Sequence, residues 1–264
     1  MDLGLNGKSA VVSGSTAGIG LAIATVLAQE GARVVINGRT EARVAAALQK
    51  IRAKVQTADV RGIAADLGSA TGVAQFVQQA PAADILVNNL GIFEVKAFAD
   101  IPDSDWLRFF EVNVLSGVRL SRHYLPGMLK NRWGRILFIS SESAQQIPAE
   151  MVHYGMTKTA QLAVARGLAE SVAGSGVTVN SILVGPTASE GVATFVSDLA
   201  KSQGVSPADI EKQFFAAVRP TSLLKRFETP EEIAMLVAFV ASQHAVTVNG
   251  AAVPADGGVV RSIL

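Results

Sequence analysis

The sequence predicts an α/β fold: a doubly wound parallel sheet of about seven strands with helices on both faces, in a single domain. Three observations predict it. Short runs rich in Val and Ile recur with helical stretches between them, the pattern of parallel strands buried on both faces. The first such run leads directly into a glycine-rich turn, Ser13-Gly14-Ser15-Thr16-Ala17-Gly18-Ile19-Gly20, and then an Ala/Leu-rich helix. No internal repeat, low-complexity tract or linker divides the 264 residues, a length that suits one large domain.

The apolar runs place strands near residues 9–13, 33–36, 62–65, 85–88, 135–139, 178–183 and 251–253. Helices fill the intervals near 19–30, 41–53, 72–79, 104–130, 153–173 and 230–241. Residues 186–227 break the rhythm. This segment carries Phe195, Val196, Leu199, Phe214 and Phe215 just after the sixth strand, where an open α/β sheet binds its ligands. A mobile substrate lid and a plain helical insertion both fit it.

Composition narrows the function. With 23 Lys+Arg against 22 Asp+Glu, the net charge of +1 creates no global field for nucleic acid or an anionic membrane. The absence of cysteine excludes disulfides, thiol nucleophiles and thiolate zinc sites. His123, His153 and His244 show no metal-ligand spacing, so no metal site is expected. The first residues lack the apolar core of a signal peptide, and the longest apolar stretch, 234–241, is too short to span a bilayer. A cytoplasmic location and small-molecule partners are expected. Gly7-Lys8-Ser9 imitates the end of a P-loop, but Asp2 stands where its first glycine is required, and no Gly-x-Ser-x-Gly elbow is present.

What remains is dinucleotide and proton chemistry. Gly14, Ser15, Thr16, Gly18, Ile19 and Gly20 form a turn at a helix start, where free amides meet a pyrophosphate and glycines permit its close approach. After the second strand, Asn37-Gly38-Arg39-Thr40 offers no acidic side chain for a ribose 2′-hydroxyl, and Arg39 suits a 2′-phosphate. NADP(H) is therefore preferred over NAD(H), which stays possible, as does an Arg39 that is merely a solvated turn residue. Asp66-Leu67 follows the third strand, where the aspartate either meets an adenine edge or caps a helix. Asn88-Asn89-Leu90-Gly91 follows the fourth at the expected crevice. Tyr154 and Lys158, four apart on a helix, share one face, with Ser141 13 residues upstream and Ser140 as its rival. An ammonium beside a phenol favours the phenolate and lowers its pKa.

These motifs, in this order and over essentially the whole length, resemble the short-chain dehydrogenase/reductase family. Its Thr-Gly-x-x-x-Gly-x-Gly corresponds to residues 13–20, its Asn-Asn-Ala-Gly to 88–91, its fourth-helix asparagine to Asn113, its Tyr-x-x-x-Lys to Tyr154 and Lys158, and its Asp-Gly-Gly to 256–258. The resemblance implies a Rossmann-like fold and hydride transfer between a nicotinamide and a carbonyl or secondary alcohol. It implies Tyr154 as the acid or base, Lys158 as its partner and holder of the ribose hydroxyls, Ser141 as donor to the substrate carbonyl, and Asn113 as anchor of a water. Asn89 and Gly91 would flank the cofactor, as would Gly185, Thr187 and Ser189. Leu90 replaces the family's alanine, and Val184-Gly185-Pro186-Thr187 replaces its Pro-Gly; neither departure removes a proton-transfer group.

Phe93, Glu142, Gln145, Met151, His153, Val192, Phe195 and Phe215 are expected to line the substrate pocket, a mainly apolar set suited to a hydrophobic ketone or 3-oxoacyl substrate. His153 is alternatively an exposed residue at a helix start. A catalytically silent NADP(H)-binding sensor or scaffold is the other functional reading. Family members pair their long helices, which implies a homo-oligomer, tetramer or dimer.

Overall fold

The computed structural model describes residues 1–263, and for Phe195 only its place in the chain, so the pocket role expected of that side chain lies outside the described residues. The elements run β1 (Ser9–Val12), α1 (Gly18–Gln29), β2 (Arg33–Gly38), α2 (Glu41–Lys54), β3 (Val60–Ala64), α3 (Ala70–Gln79), β4 (Ile85–Asn88), α4 (Asp103–Phe110), α5 (Ser116–Lys130), β5 (Gly134–Ser141), α6 (Val152–Ser171), β6 (Val177–Val184), α7 (Glu190–Gln203), α8 (Pro207–Ala217), α9 (Pro230–Ala241) and β7 (Ala252–Ala255). All strands join one parallel, Rossmann-like sheet in the order β3-β2-β1-β4-β5-β6-β7. The order reverses between β1 and β4, and the carboxyl ends of these strands open the crevice in which such sheets bind ligands.

Successive strand side chains face opposite layers. Val12, Ile36 and Val87 therefore pack with Ile23 and Leu27 of α1 and Val237 of α9. Val11, Leu86 and Phe138 pack with Phe76 of α3, Tyr124 of α5 and Ala165 of α6. Each large apolar side chain buried this way contributes about 1.5–3 kcal/mol. Helix starts are set locally. Thr40 and Ser69 accept backbone amides at the heads of α2 and α3, and Ser206 and Thr229 form reciprocal capping boxes at α8 and α9, each followed by proline.

Two differences from the sequence reading matter for function. The single helix expected over 104–130 is α4 and α5 joined by a π-helical turn, Glu111–Leu115, which contains Asn113. Within this turn the Asn113 carbonyl accepts a side-chain bond from Gln161 Nε2 at 2.6 Å. The segment after β6 is built from α7 and α8, the latter closed by an aromatic cluster in which Phe215 lies 5.1 Å from Phe214 and 5.2 Å from Phe227, centroid to centroid. Phe215 is only 3% exposed and packs mainly in the interior of this segment, bordering a cleft shared with Glu211, Lys212 and Arg226.

Candidate active site

The glycine-rich turn lies between β1 and α1 and is held from beneath by Asn37. That side chain, 2% exposed, donates to the Ile63 and Ala65 carbonyls at 3.2 and 3.0 Å and accepts from the Gly14 amide at 3.3 Å. Gly14 adopts φ +60°, which favours glycine. At Gly20 a Cβ would lie 2.4 Å from Asn89 Nδ2 and 2.6 Å from the Gly14 carbonyl, so any side chain would force the turn apart. No side chain caps the first amides of α1, and no acidic residue sits in its first turn. This glycine cradle and its free amides fit a dinucleotide pyrophosphate. Gly38, with Thr16 packed over it, presents no carboxylate, and Arg39 is exposed beside it.

Several cofactor candidates serve the cradle as scaffold. Ser15 is fully buried, donating to the Val12 carbonyl at 2.6 Å and accepting the Asn37 amide at 2.9 Å, so its hydroxyl faces away from any ligand. Asn89 Nδ2 braces the turn through the Ser13 and Gly14 carbonyls at 3.1 and 3.0 Å. Asp66 is exposed and closes a local turn onto the Gly68 amide at 3.1 Å, while Leu67 is 1% exposed in the core. Thr16 and Ile19 are half-buried on the turn. Gly185 sits with Asp256 against it, Thr187 donates to the Gly185 carbonyl at 3.0 Å, and Ser189 leans over Gly18.

Beyond the cradle, β5 and α6 bring the proton-handling groups together. Strand alternation separates the two serines. Ser140 donates to the Lys158 carbonyl at 3.0 Å and ties β5 to α6, while Ser141 hydrogen-bonds both Glu142 and the Tyr154 phenol. Lys158 Nζ lies 5.6 Å from the centre of the Tyr154 ring and donates to the Ile139 carbonyl at 2.8 Å and to Gln161 Oε1 at 3.4 Å. Asn113 exchanges hydrogen bonds with the Ile92 backbone at 2.8 and 3.0 Å and donates to Thr157 at 2.9 Å. A Cβ on Gly91 would meet Asn113 Oδ1 and Lys158 Nζ, each at 3.6 Å, so this turn adjoins the same groups.

A family profile described as short chain dehydrogenase matches residues 8–200. The uncharacterized oxidoreductase YvaG of Bacillus subtilis (strain 168) is 48% identical over the full length of both chains. The chain belongs to the short-chain dehydrogenase/reductase family. A D-beta-hydroxybutyrate dehydrogenase of Cupriavidus necator is 34% identical over 96% of this chain and 98% of its own. Among solved structures, L-sorbose reductase from Gluconobacter frateurii, complexed with NADPH and L-sorbose, superimposes with a TM-score of 0.93 over the whole of both chains at 32% identity.

Within this short-chain dehydrogenase/reductase the electrostatics differ from the sequence expectation. Burial pushes the Tyr154 phenol well above its usual range; Ser141 and the Arg219 charge oppose the shift, and the Glu142 charge adds to it. Burial also acts on the Lys158 ammonium, bringing its pKa down to about 8 against the opposing charge of Glu142. His153 is neither exposed nor on an open pocket. It is 0% exposed, its ring 4.0 Å from that of Phe109 and 6.1 Å from that of Trp106, and neither ring nitrogen has a hydrogen-bond partner. Glu142 is 4% exposed, and its carboxylate is taken by Ser141, Ser143 and Arg219. Phe93 and Met151 keep accessible surface; Phe93 is 63% exposed and meets Tyr154 edge-on at 6.4 Å.

Sequence reasoning missed three residues of the site. Gln161 Nε2 donates to the Asn113 carbonyl at 2.6 Å and its Oε1 accepts from Lys158 Nζ at 3.4 Å, so its amide joins that carbonyl to Lys158. Its position one turn beyond Lys158 was the available signal. Arg219 reaches Glu142 from the end of α8, and Glu228 pairs with Thr187 beside the Gly185 turn. No local pattern marks either contact.

Proposed function

We propose that this protein is an NADP-dependent oxidoreductase that transfers a hydride between the nicotinamide and a carbonyl or the corresponding secondary alcohol. The observation that carries the reading is the convergence of Ser141, Tyr154, Lys158 and Asn113 beside the glycine cradle. NADPH, when bound, supplies the hydride. The chain supplies the rest. Tyr154 gives a proton to the carbonyl oxygen, Ser141 donates a hydrogen bond to the same oxygen as charge develops, and Lys158 holds the ribose hydroxyls. Gln161, Thr157 and Asn113 fix Lys158 and the start of α6. Gly38 and Arg39, together with the NADPH of the sorbose reductase, support NADP over NAD.

For the substrate, the exposed Phe93, Val95 and Phe98 support a hydrophobic ketone or a 3-oxoacyl compound, with the segment 186–227 acting as the lid. The buried Ser141, Glu142 and Arg219, and the likeness to L-sorbose reductase, favour a hydroxylated ketone as the second reading. In either case the protein works as a cytoplasmic homo-oligomer on a small molecule, without nucleic acid or membrane. Among the described residues no helix is long and apolar enough to cross a bilayer.

A panel of apolar ketones, 3-oxoacyl thioesters and ketoses, assayed with NADPH and NADH, tests the reading. Turnover of one class is expected, falling about 100-fold or more in Tyr154→Phe. Arg39→Ala should cost about tenfold in NADPH affinity and leave NADH unchanged. Unaltered turnover in Tyr154→Phe would remove the acid assignment. Silence across the panel despite tight NADPH binding would favour a sensor.

A further inference from the structure

Ser141 is followed by a carboxylate that no charge balance at the surface explains. Glu142 lies just beyond β5, 4% exposed, and its Oε2 accepts from the Ser141 hydroxyl, from the Ser143 amide at 2.8 Å and from the Ser143 hydroxyl at 3.1 Å. Its other oxygen accepts from Arg219 Nε at 2.9 Å. Arg219 is 9% exposed and stands two residues beyond α8. The two charges are 77 residues apart in sequence and buried together. Removing one partner of such a pair leaves the other unpaired out of water.

The serine hydroxyl has one proton to give. It stands between Glu142 and the Tyr154 phenol, and Glu142, a full negative charge, is the stronger acceptor. While Ser141 donates to Glu142, that proton is not given to the Tyr154 phenolate, so the lowering that Ser141 would otherwise exert on the phenol is withheld until a substrate oxygen draws the proton away. The negative charge acts in the same sense through space, and the guanidinium of Arg219 acts against it.

We propose that Glu142 and Arg219 are positioning residues: Glu142 holds the Ser141–Tyr154 pair in its proton-donating form, and Arg219 couples that form to the segment ending in α8. The idea rests on the carbonyl-reducing role given above. A tyrosine kept protonated is ready to deliver a proton in reduction and is a poor base for alcohol oxidation. If the segment withdraws, Glu142 loses its counter-charge and the whole polar cluster loosens. The other charged groups near this cluster are Lys158 on α6, Glu228 before α9 and Asp256 after β7; Lys158 sits under the tyrosine ring, and the two carboxylates flank the Gly185 turn.

Opposite mutations have opposite consequences, which a purely structural role would not produce. In the pH profile of alcohol oxidation, Glu142→Gln should move the rising limb to lower pH by about one unit, and Arg219→Gln should move it to higher pH by a similar amount. Arg219→Lys, which keeps the charge, should stay close to the parent. Both variants shifting the same way, or neither shifting, would overturn the assignment. A second measurement needs no substrate. The chain has two tyrosines, and the other, Tyr124, is buried with its hydroxyl on the Ala80 carbonyl at 2.7 Å. Tyrosinate absorbance in Glu142→Gln should therefore rise at lower pH than in the parent, and the difference should vanish when Tyr154→Phe is added. Identical absorbance curves in parent and variant would refute the role of Glu142. If the ketone panel fails while this titration shifts, the functional reading falls and the charge relation stands.

Discussion

Glu228 offers the clearest quantitative test of how this site is held together. The side chain is 6% exposed, and its Oε2 has no hydrogen-bond partner. It lies on a cleft of about 390 Å³ that Asp256, Glu232 and Arg226 also line. Burial, and then the Asp256 charge, raise its pKa from 4.5 to about 7, against the opposing pull of the Gly185 amide. Between those two values the folded chain holds a proton that the unfolded chain has released. Stability from this group is thus full below the lower value, falls as pH rises through the window, and is constant above it. Carried through the linkage relation, the two values make the protein about 2–3 kcal/mol less stable at about pH 8 than at about pH 5 through Glu228 alone. Glu228→Gln keeps the shape and removes the titration. Equilibrium urea unfolding of parent and variant at both pH values should show the variant gaining that amount relative to the parent on going alkaline. If the stabilities of the two proteins run parallel with pH, Glu228 is not a protonated buried acid and the reasoning fails.

Two further outcomes follow from the same packing. His153 is buried among Phe109 and Trp106, and burial holds its pKa below the usual value; Glu94 and Asp105 oppose that shift, while Lys96 and Arg108 assist it. A depressed base contributes stability that is present above its unfolded value and lost on acidification. His153→Phe, which removes two unmet ring nitrogens, should therefore stabilise the fold by about 1–3 kcal/mol, with the gain growing below about pH 6, as read by thermal unfolding across pH. Gly20→Ala should weaken NADPH binding by about tenfold or more at unchanged far-UV circular dichroism, because the Cβ position lies 2.4 Å from Asn89 Nδ2. Unchanged binding, by quenching of protein fluorescence, would mean the turn is not the cradle.

Much of this molecule could be read in advance because its signals are local. The glycine turn, the strand ends and the caps at Thr40 and Thr229 depend on neighbours within a few residues, and the sheet follows from the Val/Ile runs. Contacts between distant residues carry no such mark. Gln161 meets the Asn113 carbonyl, which lies in a π-helical turn, across 48 residues. Glu228, in Phe227-Glu228-Thr229-Pro230, reads as a solvated charge before a helix. Its burial comes from pairing with Thr187 and from Asp256 across the cleft. His153 shows the same limit, since helical spacing gives a residue its face but not what covers it.

Tyr154 and Lys158 show what spacing alone leaves out. At an effective dielectric of about 20, a unit charge 5.6 Å from the ring contributes about 3 kcal/mol toward the phenolate, enough to offset a good part of burial. That contribution exists only while the amine is charged, and burial brings Lys158 down to about 8. The two shifts are therefore coupled: whatever stabilises the ammonium returns the missing charge to the tyrosine. Its present acceptors, the Ile139 carbonyl and Gln161 Oε1, are neutral. An additional acceptor at Nζ, which ribose hydroxyls would provide, raises the lysine and lowers the phenol together. In this chain the proton affinity of Tyr154 is accordingly a property of the occupied site, and Lys158 acts on it only when its own charge is held.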